Sequence, residues 1–136
     1  MHLIIYTDGG ARGNPGPAGI GVHITDKATG ETVEDHAVFL GSTTNNQAEY
    51  RAAILGLQRG VELGAQSVEI VADSELIVKQ ARGEYKVKDP GLAQRYLELK
   101  NQETLLGGRV SYRHVARTHN KRADELANEA MDKGRN

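Results

Sequence analysis

The 136-residue chain contains no cysteine, no tryptophan and a single phenylalanine. The first absence excludes a disulfide framework, a thiolate nucleophile, a cysteine-held zinc ion and an iron–sulfur cluster. The other two leave five tyrosines as the main aromatic platforms on which unpaired bases could stack. No apolar run approaches the ~20 residues needed to span a bilayer. Leu3 to Tyr6, near the start, is too short for a signal-peptide core and lacks a basic lead. An excess of one charge is also missing. Lys and Arg total 17 against 18 Asp and Glu, a net charge of −1 with histidine neutral, so no global basic field advertises nucleic acid or membrane. The expectation is a cytoplasmic protein with no membrane partner, acting as a monomer. Hydrophobic residues make up 38% and charged residues 26%, enough for one core under a soluble surface, and residues 1–136 read as a single domain.

Leu3 to Thr7 is a short β-branched run that reads as a buried strand meeting a turn at Asp8-Gly9-Gly10. Gly10 to Gly19 is too rich in Gly and Pro for a helix or a central strand. Ile20, Val22 and Ile24 alternate as a second strand, Thr29-Gly30 marks a turn, and Thr32 to Leu40 forms a third. The short link makes these two an antiparallel hairpin. Thr44 followed by Gln47 is a capping-box pattern opening a helix to about Leu63, with Tyr50, Ile54, Leu57 and Val61 on its apolar face. Ala53, Gly56 and Gly60 form a small-residue face beside it. Ser67 to Ala72 is a buried strand, and Ser74 opens a helix to Ala81. Gly83 to Lys88 is an irregular link, and Asp89 caps a helix from Pro90 to about Leu106. Val110 to Val115 alternates as a strand. Asn120 is placed as the cap of a last helix, and Gly134 to Asn136 as a frayed tail. The fold class is α/β: a mixed five-stranded sheet, antiparallel at its opening hairpin and parallel later, with helices on both faces.

Four acids stand out from this frame. Asp8 and Asp73 are each the first charge after an apolar strand, where α/β sheets gather ligands. Glu49 and Asp124 are placed in the first turns of two helices. Each has an ordinary reading taken singly: turn residue, cap or dipole partner. Ser74 and Asn120 can already cap the helices next to Asp73 and Asp124, which weakens that reading. Four converging acids would repel unless cations neutralise them, as in a hard-metal oxygen site. The glycines read G-x-x-G-x-x-G and no phosphate-loop lysine follows, so a dinucleotide or phosphate-loop enzyme is rejected. The five histidines show no zinc spacing, and His23 and His36 are expected on the solvent face of the hairpin. Basic residues gather in two stretches, Lys79 to Lys88 and Arg109 to Arg122, either as solvated faces or as phosphate holders.

Thr7-Asp8-Gly9-Gly10, Gly13-Asn14-Pro15-Gly16-Pro17-Ala18-Gly19, Thr44 to Glu49, Ala72-Asp73-Ser74, and Asn120 to Asp124 with Leu126-Ala127 together resemble ribonuclease H of type 1, in the family's order and over nearly the whole chain. The stretch from Gly83 to Gly91 is too short for the basic protrusion of the longer bacterial enzymes, so the resemblance is to the compact archaeal-like and Gram-positive-like members. The resemblance implies endonucleolytic hydrolysis of the RNA strand of RNA–DNA hybrids with two Mg²⁺ or Mn²⁺ ions, leaving 5′-phosphate and 3′-hydroxyl ends. It implies Asp8, Glu49, Asp73 and Asp124 as catalytic metal ligands: Asp8 bridging both ions, Asp124 on the water side, Glu49 and Asp73 on the leaving side. Gly9, Gly10, Ala11, Asn14, Asn46 and Ser74 are the implied substrate contacts, with Thr44 and Asn14 also resembling a phosphate pocket for the DNA strand. A turn role for Asn14, before Pro15, stays open beside this. The family's longer members carry a loop histidine before the last helix. Here that loop is shorter, and Arg117 is the candidate to replace it, with His119 as the competing residue. A catalytically idle duplex binder and a nuclease that also takes double-stranded RNA are the alternatives.

Overall fold

A computed structural model describes residues 1–134. Its five-stranded sheet has the order β3-β2-β1-β4-β5, built from β1 (His2–Ala11), β2 (Gly16–Asp26), β3 (Thr32–Thr43), β4 (Ser67–Ala72) and β5 (Val110–His114). β1, β2 and β3 pair antiparallel, whereas β4 and β5 are added in parallel. The helices are α1 (Asn45–Glu62), α2 (Glu75–Ala81), α3 (Pro90–Leu105) and α4 (Lys121–Gly134), with a 3-10 turn at Arg117–His119. This is the mixed α/β architecture expected from the order of apolar runs. Among the described residues no helix is long and apolar enough to cross a membrane.

The main core lies between the sheet and α1 with α3 behind it, where Leu3, Ile5, Tyr50, Leu57, Ile70 and Leu99 are buried. The buried Tyr50 hydroxyl donates to Gln80 Oε1 at 2.5 Å, tying α1 to α2. α4 covers β2 from the other side with Ala123, Leu126, Ala127 and Ala130. Here the glycine-rich stretch departs from its reading as irregular chain. β1 runs on to Ala11 and β2 starts at Gly16, so only Arg12 to Pro15 turn. The physical reason is space. A Cβ on Gly19, inside this stretch, would press on the Ala127 carbonyl of α4, as one on Gly21 just beyond it would on that of Ala123. One on Gly9, just before it, would overlap the Ala48 backbone of α1. These glycines let helices approach the sheet rather than bend the strand.

Four smaller expectations also change. The capping box is half formed: Gln47 N–H donates to Thr44 Oγ1 at 3.3 Å, but Gln47 Oε1 accepts from Arg95 at 2.9 Å instead of reaching back. Asn120 does not cap α4. Its Nδ2 donates to the Thr7 carbonyl at 2.9 Å, and its Oδ1 takes no hydrogen bond among the described residues. His23 and His36 are half-buried and paired, at 2.6 Å from Asp35 and 2.8 Å from Glu34, rather than free in solvent. Of the predicted tail, Gly134 still belongs to α4, and Arg135 and Asn136 lie outside the described residues.

Candidate active site

The parallel pairing of β1 with β4 sets Thr7 beside Ala72, and the next residue of each strand is an aspartate. Asp8 is still within β1, and Asp73 lies just past β4, before Ser74 caps α2 by accepting from the Ile77 N–H at 3.3 Å. Glu49 is the fifth residue of α1, one turn deeper than the first turn predicted for it, because the helix begins at Asn45. Its Oε1 accepts from the Gly9 N–H at 2.8 Å, and the same N–H faces Asp8 Oδ1 at 3.0 Å. The close approach at Gly9 therefore delivers Glu49 to Asp8. Carboxylate oxygens of Asp8, Glu49 and Asp73 lie within 4.8 Å of one another. Asp124, in the first turn of α4 as predicted, stands beside this group and accepts from Arg117 Nη2 at 3.1 Å.

Like charges this close cannot all be ionised cheaply in a protein without a counter-ion. Burial, then Asp73, then the hydrogen bond with Asp124 and its charge push Asp8 up to about 8, with Arg117 pulling the other way. Burial and the charges of Asp8 and Asp73 raise Glu49 well above the ordinary glutamate range, against the Gly9 N–H. Burial raises Asp73 too, with Arg117 opposing. Arg117 is itself raised, first by its hydrogen bond to Asp124 and then by the charges of Asp124 and Asp8. The donor set is oxygen only, with neither sulfur nor imidazole, which suits a hard cation such as Mg²⁺ or Mn²⁺.

These acids open into a cleft of about 590 Å³. Gly9, Gly10, Ala11, Asn46, Ser74 and Arg117, all named from the sequence, line it. Asn14 and Thr44 do not; they hold its wall. Asn14 Oδ1 accepts the Asn45 N–H at 3.0 Å, Asn45 Oδ1 accepts the Ala11 N–H at 2.6 Å, and Thr44 caps α1. His119 lies outside the cleft, near Tyr6 and Thr25. Four lining residues were missed: Arg12, Asn45, Asn128 and Met131. Asn128 follows Asp124 by four residues, so helical spacing could have found it. Arg12 sits in the turn and is held across the cleft by Asp132 at 2.6 Å and Asn128 at 3.3 Å, contacts that no local pattern encodes.

The Reverse transcriptase-like family profile matches residues 6–130. The bifunctional protein Rv2228c of Mycobacterium tuberculosis is 41% identical over 132 residues, 97% of this chain but 36% of that protein, so the chain spans about a third of its length. The ribonuclease H of Lachnoclostridium phytofermentans is 34% identical over 98% of this chain and 94% of its own. Among solved structures, LC11-RNase H1, isolated from compost and in complex with an RNA/DNA hybrid, is 46% identical, with a TM-score of 0.93 over 98% of this chain and 99% of that one. With the strand order, the acids at the β1 and β4 ends and these similarities in agreement, the chain belongs to the ribonuclease H type 1 family.

Proposed function

We propose that this chain is a metal-dependent endonuclease that hydrolyses the RNA strand of RNA–DNA hybrids and leaves 5′-phosphate and 3′-hydroxyl ends. The carrying observation is the group of three carboxylates, Asp8, Glu49 and Asp73, assembled within 4.8 Å and in no ion pair among the described residues. Such a group needs an external positive charge, and its all-oxygen donors fit Mg²⁺ or Mn²⁺. Two such ions, held by Asp8, Glu49, Asp73 and Asp124, would supply charge stabilisation to the attacking and departing oxygens of an in-line displacement. The hybrid bound by LC11-RNase H1 supports the choice of substrate.

The chain's own groups then have distinct tasks. Gly9 N–H fixes Glu49 toward Asp8, so the ligand geometry is set before substrate arrives. Arg117 carries a permanent charge at the open side of the cleft and would bind the scissile or released phosphate at any working pH. Gly9 and Ala11 have their N–H groups committed within the protein, and Asn14 and Asn45 have their side-chain oxygens committed to backbone donors. The Nδ2 group of Asn45, which lines the cleft, is thereby oriented as a donor. With Asn46 it is suited to the oxygen of a 2′-hydroxyl, the group that marks RNA.

Strand-labelled hybrid, double-stranded RNA and double-stranded DNA, each with Mg²⁺ or Mn²⁺, provide the test, with Asp8→Asn as control. The expected result is cation-dependent cutting of the RNA strand of the hybrid and none by the variant. Equal cutting of double-stranded RNA would widen the substrate class. Tight hybrid binding without cutting in either metal would make the chain a binding module instead.

A further inference from the structure

Arg117 differs from the other cleft residues in how it is held. Its side chain is 76% exposed, on a three-residue 3-10 turn whose preceding residue offers no side-chain cap. Its Nη2 nevertheless turns inward to Asp124 Oδ1 at 3.1 Å. The four acids are thus divided. Among the described residues Asp8, Glu49 and Asp73 are in no ion pair and feel Arg117 only through its charge, whereas Asp124 is paired with it directly.

We propose that Arg117 is the resident counter-ion of Asp124 in the resting protein, and that it must leave this carboxylate before Asp124 can ligate a metal ion. The inference rests on the reading of the cleft as a metal-dependent nuclease site. A guanidinium does not lose its proton at accessible pH, so Asp124 is released only by movement of Arg117 or by a stronger competitor. Exposure makes that movement easy, because a solvated ion pair on a short turn contributes little to stability. A phosphate group entering the cleft competes for the guanidinium, which it can take up bidentately, as a carboxylate can.

When Arg117 turns to such a phosphate, Asp124 is left uncompensated near Asp8 and its affinity for a hard cation rises. By reciprocity, a cation on Asp124 favours the phosphate-bound position of Arg117 to the same extent. Cation uptake would then be ordered: first at Asp8, Glu49 and Asp73, which are in no ion pair among the described residues, and second at Asp124, assisted by phosphate. Arg117 is in this respect a phosphate-responsive latch on one metal ligand, beyond any contact it makes during the reaction.

Calorimetric titration of Mn²⁺ alone into the full chain, without nucleic acid, tests this in four proteins: wild type, Arg117→Gln, Asp124→Asn and Asp73→Asn. Wild type should take up one ion well and a second weakly or not measurably. Arg117→Gln should tighten the second step about tenfold, or reveal it, and tighten the first by distinctly less, since Arg117 reaches those acids only through its charge. Asp124→Asn should abolish the second step and keep the first; Asp73→Asn should weaken the first. A second step in Arg117→Gln no tighter than in wild type, with the first intact, would overturn the latch and leave the functional reading standing. Two equally tight steps in wild type would do the same. No uptake by wild type, or uptake indifferent to Asp73→Asn, would overturn the functional reading and the latch with it.

Discussion

On one side of the cleft, Asp8 and Asp73 follow the last residues by which β1 and β4 pair, and Glu49 comes from an 18-residue helix packed against them. On the other side, Asp124 lies in the first turn of α4 and Arg117 on an exposed 3-10 turn. The first side is rigid because its supports are central: β1 is paired on both edges, and Gly9 allows contact with α1 so close that no larger residue fits. Its carboxylates are therefore held in mutual repulsion, which a retained proton eases at lower pH and an added cation relieves. The second side has settled its charges internally, through an ion pair that solvent reaches. The buried side can hold ligands in a strained arrangement, while the exposed side is free to exchange partners.

The largest expected effect lies on the rigid side. Asp73→Asn should lower hybrid cleavage at least ~10³-fold, and adding Asp8→Asn should cost little more, because ligands of one site act as a unit. Cleavage rates of the single and double variants, alongside circular dichroism showing an intact fold, check this. Near wild-type activity in Asp73→Asn would remove that residue from the site. The exposed side should be less severe. Arg117→Ala should lower kcat about 10²-fold, the range for removing one group that stabilises developing charge, whereas His119→Ala should stay within about twofold. The opposite ranking in steady-state kinetics would return the role to the histidine and leave Arg117 as an ordinary surface charge.

Much of the rigid side was legible in the sequence. Apolar runs leading into Asp8 and Asp73 mark where the pairing of β1 with β4 stops, and the order of strands and helices implies the parallel pairing that makes them neighbours. Small residues at Ala53, Gly56 and Gly60 foretell the close contact of α1 with the sheet, where Gly56 faces Ile5 and Gly60 faces Val68. What was not legible depends on tertiary contact. Asn120 has the residue type of a cap, but the Thr7 carbonyl lies within its reach and claims its amide. The Arg12 turn looks like loop, yet it is pinned by α4 residues more than a hundred positions away. Likewise the Arg117–Asp124 pair arises from the geometry of a single 3-10 turn, which has no periodicity to read.

The repulsion on the rigid side is open to direct measurement. The Asp8 carboxyl, ordinarily near 3.8, is pushed up to about 8 in the folded protein. Between those values the folded state keeps a proton that the unfolded chain has released, so metal-free stability must fall as pH rises through this window. Thermal melting of wild type and Asp8→Asn from pH 5 to pH 8.5, with EDTA and then with Mn²⁺, tests the claim that these acids form a cation site. With EDTA, the wild-type Tm should drop across this range relative to the variant, leaving Asp8→Asn more stable at pH 8 by about 1–2 kcal/mol, or roughly 4–8 °C. Mn²⁺ should recover the wild type and leave the variant nearly unmoved. A wild-type Tm that tracks the variant at every pH, with no response to Mn²⁺, would contradict a strained carboxylate group awaiting a metal ion.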